Sequence, residues 1–229
     1  MKNVAIIPAR GGSKRILKKN IKKFLGKPML SYPVKVAFES GLFDKVIVST
    51  DSDEIATEAE NCGAQVPFIR PDELADDFVG TTPVTKHAVQ YLLDTGYELD
   101  YACCIYATTP LLEAGFLRSG LERLVNSDLD YVFSVTTFPY PVQRSLRTDD
   151  KGMVSPAYPD YLNSRSQDLE ELYHDAAQFY WGSKEAWLTK SHMFTARSMG
   201  EVLPRHLVQD IDTKEDWVRA EYMYKLINR

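Results

Sequence analysis

The sequence predicts a doubly wound α/β fold, in which a mostly parallel sheet carries helices on both faces. Short apolar runs rich in valine and isoleucine alternate with segments whose apolar residues recur three and four positions apart. This alternation is typical of a buried parallel sheet with crossover helices. The chain has 229 residues, of which 44% are hydrophobic, so it can bury one sizeable core and we expect one main domain.

The elements follow from these two patterns in chain order. Strands are predicted at residues 3–8, 45–50, 66–70, 101–105 and 131–135. Helices are predicted at residues 30–39, 52–62, 84–93 and 114–125, where Val84, Ala88 and Leu92, for example, share one face. The segment "AAQFYWGSKEAWL" predicts a strand that leads into a helix, and residues 213–227 predict a last amphipathic helix.

The periodicity is lost in one internal segment. Residues 136–176 contain prolines, tyrosines and alternating charges without a clear helical period. We therefore predict an α/β core formed by residues 1–135 and 177–229, with residues 136–176 as an inserted subdomain. The tyrosines of the insert favour a ligand site or a subunit interface, where aromatic residues are enriched, and the two roles are compatible.

Composition limits the partners of the chain. The net charge of −5 argues against nucleic acid as a general partner, because such binding normally needs a basic surface. No stretch approaches the roughly 20 apolar residues of a membrane span, so we expect a soluble cytoplasmic protein with no membrane contact. Three cysteines, Cys62, Cys103 and Cys104, do not indicate a disulfide framework. Cys103 and Cys104 are neighbours in a predicted strand and should point to opposite faces.

A cationic loop follows the first predicted strand in "IPARGGSKRILKKN", at the strand end where open α/β sheets bind ligands. Gly11 and Gly12 allow successive backbone N–H groups to point inward, which favours an anion. The loop also carries five cations: Arg10, Lys14, Arg15, Lys18 and Lys19. Because it has neither the Walker A spacing nor the G-x-G-x-x-G fingerprint, we predict a phosphate site of another geometry. The alternative is a solvated basic loop, and solvation alone is most expected for Arg15 and Lys18.

The pair of aspartates in "QDIDTKEDW" is a candidate metal site. In an extended chain Asp210 and Asp212 project to the same side, so their carboxylates can converge on a hard cation such as Mg²⁺. Alternatively, Asp212 caps the last helix and Glu215 reaches back. The motif alone does not decide between these interpretations, but a loop that holds a triphosphate needs a counter-ion, and this favours the metal.

Two other segments also have two interpretations. In "FIRPDELADDFVGTTP", Arg70 and Thr81 offer a donor fork and a hydroxyl suited to a pyrimidine edge, although the segment alone is more typical of a helix-capping loop. In "TDSDEIA", Asp51 precedes Glu54 by three positions, which is a helix-start signature, so we interpret Asp51 as structural.

Polar and aromatic side chains near the end of the insert are candidates for binding a sugar acid, with an arginine on its carboxylate. They are Arg165, Gln167, His174, Asp175, Gln178 and Tyr180. A single histidine such as His174 is more often structural than catalytic.

Several of these segments together resemble the cytidylyltransferases that activate nine-carbon sugar acids: "PARGGSKRI", "KKN", "VIVSTDSDEIA", "FIRPDELADD" and "DIDT". The resemblance covers nearly the whole chain. The segments "FPYPVQRSL", "NSRSQDLEELYHDAAQFYWG" and "CCIYATTPLL" are most similar to the pseudaminic acid branch of that family. The N-acetylneuraminate branch has a glutamine and then "PTSPLR" where this chain has Tyr106 and then "ATTPLL", which implies a different sugar.

The resemblance also implies a Rossmann-like core and a set of residue roles. The implied catalytic residues are Arg10 and Lys19, which would bind the phosphates of CTP with the backbone of Gly11, Gly12 and Ser13. The implied contacts to cytosine or its ribose are Asn20, Arg70 and Thr81, and the implied Mg²⁺ ligands are Asp210 and Asp212. The sugar acid would be bound by Tyr106 and the six candidates near the end of the insert, and the insert would pack against a second subunit in a homodimer.

The reaction implied by the resemblance joins CTP and pseudaminic acid to give CMP-pseudaminic acid and pyrophosphate. Three alternatives remain at this point. They are the same reaction on N-acetylneuraminic or legionaminic acid, a nucleotidyltransferase that uses UTP or GTP, and a non-catalytic nucleotide-binding regulator. Intact Lys19, Asp210 and Asp212 argue against the regulator.

Overall fold

The computed structural model describes residues 1–76 and 78–228. Its strands are β1 Asn3–Pro8, β2 Lys23–Phe24, β3 Lys27–Pro28, β4 Lys45–Ser49, β5 Tyr101–Ile105, β6 Tyr131–Thr137, β7 Leu146–Thr148, β8 Val154–Pro156, β9 Tyr173–Ser183 and β10 Ser198–Val202. Its α-helices are α1 Ser31–Ser40, α2 Asp53–Asn61, α3 Thr81–Asp94, α4 Ala114–Val125, α5 Lys184–Thr189 and α6 Lys214–Ile227.

Within the described residues, six strands form one mixed sheet in the order β10-β6-β9-β5-β1-β4. Strand β9 is antiparallel to both of its neighbours, and the other adjacent pairs are parallel. The predicted mostly parallel α/β sheet is therefore confirmed. Two short antiparallel ribbons, β2-β3 and β7-β8, lie outside this sheet.

Apolar side chains cover both faces of the sheet. One core cluster packs α1, α2 and α4 against the sheet through residues such as Val34, Ile55 and Leu121. The second core cluster packs α3 and α5 against the other face. Cys103 belongs to the first cluster and Cys104 to the second, so their predicted opposite orientation is confirmed. Burial raises the pKa of both thiols, which favours the neutral, unreactive form.

A third core cluster joins the two ends of the chain. Phe24 and Met29, which follow the cationic loop, pack with Ile211, Trp217 and Ala220 in and before α6. The Phe24 and Trp217 rings meet edge to face with centroids 5.5 Å apart. Burying each large apolar side chain contributes about 1.5–3 kcal/mol, so this cluster fixes the start of α6 against the segment that follows the loop.

Several predicted elements match the structure and one prediction is wrong. The strands at residues 3–8 and 101–105 and the helix at residues 114–125 have the predicted bounds. Residues 66–70 are not a strand; Gln65 and Ile69 make isolated parallel bridges to Ile47 and Thr50. Pro67 has no N–H to donate to a sheet ladder, which explains the interruption.

Strand β10 was not predicted, because its sequence "SMGEV" has no run of β-branched residues. It is an edge strand that pairs with β6. Gly200 lies so close to β6 that a Cβ atom there would be 2.7 Å from Cγ2 of Val135. The β-branched and aromatic residues that mark a strand in a sequence therefore do not fit at position 200.

The cap of α2 also differs from the prediction. Ser52, and not Asp51, is the N-cap, and its side chain accepts a hydrogen bond from the Ile55 N–H. The carboxylate of Asp51 instead accepts from the Gly11 N–H at 2.8 Å. Asp51 thus has a structural role, but in the cationic loop and not at the helix.

A β-bulge interrupts the pairing of β9 with β6. Phe133 pairs with Tyr180, whereas Val135 pairs with Asp175, so β9 contains extra residues at this point. Ala177 has a φ of 52°, which a non-glycine residue adopts at a cost. Its N–H donates to Oδ1 of Asp175 at 2.9 Å. The bulge brings the carboxylate of Asp175 within hydrogen-bonding distance of Tyr180 in the same strand.

The segment from residue 136 to 176 carries the β7-β8 ribbon and the first residues of β9. Its treatment as a separate inserted subdomain stays a prediction. Among the described residues, no helix combines the length and apolar composition that crossing a membrane requires.

Candidate active site

A cavity of about 520 Å³ lies at the carboxyl ends of β1 and β5. The predicted site residues that line it are Arg10, Ser13, Lys19, Asn20, Arg70, Thr81, Tyr106 and Asp212. They come from the loop after β1, the segment that leads into the first residue of α3, the residue after β5 and the segment before α6. The fold therefore brings together side chains from four separate parts of the sequence.

Two backbone N–H groups of the loop after β1 are hydrogen-bonded to residues at the end of β4 and just after it. The Ala9 N–H donates to the Ser49 carbonyl at 2.9 Å, and the Gly11 N–H donates to Asp51. A Cβ atom on Gly11 would lie 3.2 Å from Cβ of Ser52, so a side chain there would displace the loop, whereas Gly12 faces open space. Gly11 and Gly12 shape the loop, while Arg10 and Ser13 line the cavity.

The loop cations have different partners. Lys18 pairs with Glu54 at 2.7 Å and does not line the cavity. Lys14 and Arg15 do line it, and the Arg15 guanidinium contacts Asp212 at 2.8 Å. Arg15 is thus not only solvated, although 67% of its side-chain area is exposed.

Lys19 is held by two contacts from the segment before α6. Its Nζ donates to the Ile211 carbonyl at 2.6 Å and lies 3.3 Å from Oδ1 of Asp212. Only 20% of its side-chain area is exposed. The partners come from the segment before α6, so this ammonium group links the two ends of the chain inside the cavity.

Asn20 and Arg70 line the cavity but are almost fully buried. The Asn20 side chain donates to the Arg10 carbonyl at 2.9 Å and so fixes the start of the loop. Arg70 donates through Nε and Nη2 to the hydroxyl and carbonyl of Ser49. Burial lowers the pKa of Arg70, yet a guanidinium stays charged at neutral pH. Its orientation is therefore set before any ligand binds.

The cap of α6 excludes the capping interpretation of Asp212, while the metal interpretation stays a prediction. Thr213 is the N-cap, and its hydroxyl and backbone form a capping box with Asp216. Asp212 is therefore not the cap, and Glu215 is not its capping partner. The carboxylate of Asp212 faces Lys19 and Arg15 in the cavity instead.

Asp210 lies close enough to Asp212 for their charges to interact. Although Asp210 reaches solvent, nearby protein atoms partly desolvate its carboxyl group, which raises its pKa. The negative charge of Asp212 raises the pKa of Asp210 further, while Lys19 opposes the shift. Two adjacent carboxylates of this kind gain from a cation placed between them.

The donor set suits Mg²⁺ bound with a substrate. Across residues 1–76 and 78–228, no group of three or more His, Cys, Asp or Glu side chains is placed to hold a metal. Mg²⁺, however, is usually held by one or two carboxylates together with substrate phosphates and water. Asp210 and Asp212 supply two such carboxylates beside a cationic loop.

Two tyrosines lie between the cavity and β9. The hydroxyls of Thr81 and Tyr106 are 2.8 Å apart, and the rings of Tyr106 and Tyr180 pack with their centroids 5.4 Å apart. The Tyr180 hydroxyl donates to Oδ2 of Asp175 at 2.6 Å. Burial raises the pKa of both tyrosines, so both stay protonated at neutral pH.

The other predicted sugar ligands do not line the cavity. Arg165 pairs with Asp168 at 2.7 Å, and Gln167 lines a separate groove. Nδ1 of His174 lies 2.8 Å from the Asp175 carbonyl. Gln178 is buried, and its amide nitrogen donates to the Leu207 carbonyl. Their predicted role in binding the sugar stays a prediction.

Sequence reasoning missed some residues of the site. Ser49 holds Arg70, and Gly80, the N-cap of α3, lines the cavity. Gly80 lies within the segment interpreted as a helix-capping loop, so the helix N-terminus was a usable signal. Nothing in the sequence pairs Ser49 with Arg70, because that contact depends on how the chain leaves β4.

A mostly parallel α/β sheet with a buried arginine, a cationic loop and the Asp212 carboxylate around one cavity at its strand ends defines a nucleotide-binding protein. Comparison with known proteins identifies the group. A family model described as cytidylyltransferase matches residues 4–226. The chain belongs to the cytidylyltransferase family and is therefore a nucleotidyltransferase.

Curated relatives lie in two groups. A pseudaminic acid cytidylyltransferase of Campylobacter jejuni is 43% identical over 226 residues, which cover 99% of this chain and 97% of that protein. An N-acylneuraminate cytidylyltransferase of Escherichia coli is 32% identical over 232 residues, which cover 100% of this chain and 53% of that protein.

Solved structures share the fold at low sequence identity. A CMP:2-keto-3-deoxy-manno-octonic acid synthetase complexed with CTP has a TM-score of 0.71 and 16% identity, covering 99% of this chain and 100% of that one. A 4-diphosphocytidyl-2C-methyl-D-erythritol synthase of Anaerococcus prevotii has a TM-score of 0.62 and 14% identity, covering 100% of this chain and 99% of that one. These likenesses confirm the fold.

The raised pKa of Asp210 predicts a pH-dependent cost to stability. Because the pKa is higher in the folded state than in the unfolded state, the folded protein prefers the protonated form, and ionisation above the folded pKa destabilises it. Replacing Asp210→Asn should therefore raise the midpoint of urea unfolding at about pH 7 in metal-free buffer. The gain should shrink towards about pH 4, where the carboxyl group becomes protonated.

Asp150→Asn is the control, since Asp150 is an exposed carboxylate in the turn between β7 and β8. It should leave the midpoint almost unchanged at both pH values. If Asp210→Asn behaves in the same way, the electrostatic strain between Asp210 and Asp212 is absent.

Proposed function

We propose that the protein catalyses the reaction of CTP with pseudaminic acid to give CMP-pseudaminic acid and pyrophosphate. A bond forms between the anomeric oxygen of the sugar and the α-phosphorus, the bond to the bridging oxygen of pyrophosphate breaks, and the hydroxyl proton is released. The observation that carries the proposal is the meeting of Lys19 with Asp212 in one cavity beside the loop of Arg10. Identity of 43% with a named pseudaminic acid cytidylyltransferase supports the choice of sugar.

The protein's main task in this reaction is alignment and charge neutralisation. Negative charge grows on the α-phosphate and on the departing pyrophosphate, and fixed cations stabilise it without reorganisation. Arg10 and Lys19 have this role in the proposal. Lys19 suits it because its contacts with Ile211 and Asp212 fix the ammonium group before the nucleotide arrives.

The nucleoside end of CTP would occupy the inner part of the same cavity. Arg70 and Thr81 line it together. The held guanidinium of Arg70 would donate to an acceptor on the base, while Asn20 would support the ribose. Arg70 is pinned by Ser49 through two of its nitrogens, so little side-chain entropy would be lost on binding.

We also propose that Asp210 and Asp212 hold Mg²⁺ when the nucleotide is bound. The ion would supply positive charge to the phosphate oxygens. The ion pair of Asp212 with Arg15 is largely exposed, and such pairs contribute about 0–1 kcal/mol. Arg15 can therefore leave Asp212 and turn to a phosphate at little cost.

Tyr106 supports a sugar other than N-acetylneuraminic acid. Its ring packs against that of Tyr180 in β9, and its hydroxyl is already bonded to Thr81. A glutamine would present an amide at this position, with two donors and an acceptor. The second candidate is nevertheless the same reaction on N-acetylneuraminic or legionaminic acid, since the relative from Escherichia coli is named for N-acylneuraminate.

We further propose that the protein is a homodimer through the predicted insert and acts in the cytoplasm, where CTP is made. The insert exposes several large apolar side chains: Tyr140, Leu146, Met153, Val154, Tyr158, Tyr161 and Leu162. Concentration of such residues in one short segment is typical of an interaction surface. A second copy of this chain is the occupant that the family resemblance implies.

Removing the central charges should abolish most activity while the fold is kept. We expect Lys19→Ala and Asp212→Ala each to lower kcat/KM for CTP by roughly 10²- to 10³-fold, because each removes a fixed charge from the transition state. Pyrophosphate release measures the rate. For Asp212→Ala, the Mg²⁺ concentration that gives half-maximal rate should also rise.

Lys18→Gln is the matched control, because Lys18 belongs to the same loop but pairs with Glu54 outside the cavity. Its kcat/KM should stay within about twofold of the original protein. Circular dichroism verifies that each variant is folded. A folded Asp212→Ala protein with normal turnover and an unchanged Mg²⁺ requirement would remove the metal assignment.

A substrate panel tests the function itself. With CTP, pyrophosphate release should be fastest with pseudaminic acid, and kcat/KM should be at least about tenfold lower with N-acetylneuraminic or legionaminic acid, a difference of roughly 1.4 kcal/mol. UTP, GTP and ATP serve as comparison nucleotides. Preference for another sugar selects the second candidate. If no combination of sugar and nucleotide gives pyrophosphate release, the protein is a non-catalytic binder.

Negative charge placed on the exposed β7-β8 ribbon should prevent dimer formation. We expect the original protein to elute as a dimer in size-exclusion chromatography with light scattering, and Leu146→Asp with Val154→Asp to give a monomer, because buried unpaired carboxylates are costly. Val218→Asp, on an exposed position of α6, is the control and should remain dimeric. A dimer that survives both hairpin substitutions places the interface elsewhere.

A further inference from the structure

We propose that Asp51 is a positioning residue of the phosphate site: its carboxylate holds the Gly11 N–H, so that the loop after β1 binds the triphosphate through its side chains and not through that backbone group. The inference deepens the proposed function and rests on it, since it assumes that the phosphates of CTP lie against this loop. Neither Asp51 nor Gly11 lines the cavity. Asp51 therefore acts on the ligand only through the loop.

The contact continues the pairing of β1 with β4 beyond the end of β4. Parallel strands form evenly spaced hydrogen bonds, so donors two positions apart meet acceptors two positions apart. The Ala9 N–H donates to the Ser49 carbonyl at 2.9 Å. The next donor, the Gly11 N–H, meets residue 51, where the chain turns towards α2, and the side chain of Asp51 supplies the acceptor at 2.8 Å. The carboxylate thus takes the place of a backbone carbonyl and extends the pairing into the loop.

The backbone at Gly11 faces the start of α2 and not the cavity. A Cβ atom on Gly11 would lie 3.2 Å from Cβ of Ser52 and 3.9 Å from Oδ1 of Asp51. The Ser13 N–H is also occupied, because it donates to the Gly11 carbonyl at 3.0 Å. Two of the backbone donors that the glycine pair was expected to offer an anion are therefore used within the protein.

Side chains of the loop supply the donors in their place. Arg10, Ser13, Lys14 and Lys19 line the cavity, and all four can donate hydrogen bonds to phosphate oxygens. Arg10 and Ser13 flank the Gly11 peptide closely in the chain, so a movement of that peptide moves both side chains. Groups that are fixed before the ligand arrives lose less conformational freedom on binding. Asp51 thus raises the affinity for phosphate by fixing this backbone.

The charge of Asp51 and its hydrogen bond act on phosphate affinity in opposite directions. A negative charge close to an anion site repels the anion and weakens its binding. A fixed loop strengthens binding, because less ordering is required. Substitutions that separate the charge from the acceptor therefore distinguish a positioning role from a role in charge balance.

Binding of inorganic tripolyphosphate and of CTP, each measured by isothermal titration calorimetry in Mg²⁺ buffer, tests the inference. Asp51→Ala removes the charge and the acceptor together, and we expect the Kd of both ligands to rise by roughly tenfold. Asp51→Asn removes the charge but keeps a side-chain oxygen that accepts from Gly11, so both Kd values should stay within about twofold of the original or fall.

Glu54→Ala is the matched control, because Glu54 is a second carboxylate that contacts the same loop, but through an exposed side-chain pair with Lys18. Its loss should not raise either Kd. The inference is overturned if Asp51→Ala, shown to be folded by circular dichroism, binds tripolyphosphate as tightly as the original protein or more tightly. It is also overturned if Asp51→Asn weakens binding as much as Asp51→Ala does.

A second variant decides if Asp51→Ala does not fold. Gly11→Ala places a Cβ atom against Ser52 and displaces the Gly11 N–H from Asp51, so it should weaken the binding of tripolyphosphate in the same way. Unchanged binding by a folded Gly11→Ala protein contradicts the inference. If the original protein binds tripolyphosphate but not CTP, the proposed function is overturned, and the role of Asp51 is judged on tripolyphosphate alone.

Discussion

The contact between Lys19 and the segment that carries Asp212 is the interaction on which the site depends. These residues are 193 positions apart, and no sheet pairing connects them. The third core cluster, with Phe24 and Trp217 at its centre, brings the segments together. Lys19 then takes up the Ile211 carbonyl, which would otherwise be buried without a partner beside the cluster. Apolar packing thus sets the position, and the ammonium group completes it.

This arrangement explains how a chain of net charge −5 holds a strongly cationic cavity. Three of the loop cations are paired locally, Lys18 with Glu54 and both Arg15 and Lys19 with Asp212, so repulsion among them is limited in the free protein. A triphosphate can replace the exposed part of that balance, because exposed ion pairs are weak. The Gly11 contact with Asp51 lies in the loop backbone and would remain to hold the loop's shape.

The sequence predicted the ligand-holding edge of the sheet well, because strand ends and glycine pairs are local signals. Arg10 in the loop, Asp212 before α6 and Thr81 at the start of α3 all line one cavity. What the sequence did not reveal depends on contacts between distant segments or on irregular backbone. Asp51 is a residue type that often caps helices, but it lies one position before the actual N-cap, Ser52, and accepts a hydrogen bond from Gly11. Likewise, no pattern marks the bulge that turns Asp175 towards Tyr180.

The two ends of the cavity therefore differ in how they are fixed. At the phosphate end, charges meet across partly exposed contacts, which suits groups that must exchange partners when substrate binds and product leaves. At the other end, Arg70 is fixed by buried hydrogen bonds to Ser49, and Thr81 is hydrogen-bonded to Tyr106. Buried polar groups that lose a partner pay the full cost of desolvation, so this end resists rearrangement. In the proposed function, the base would therefore bind at the rigid end of the cavity, and the phosphates would bind at the end whose contacts can adjust.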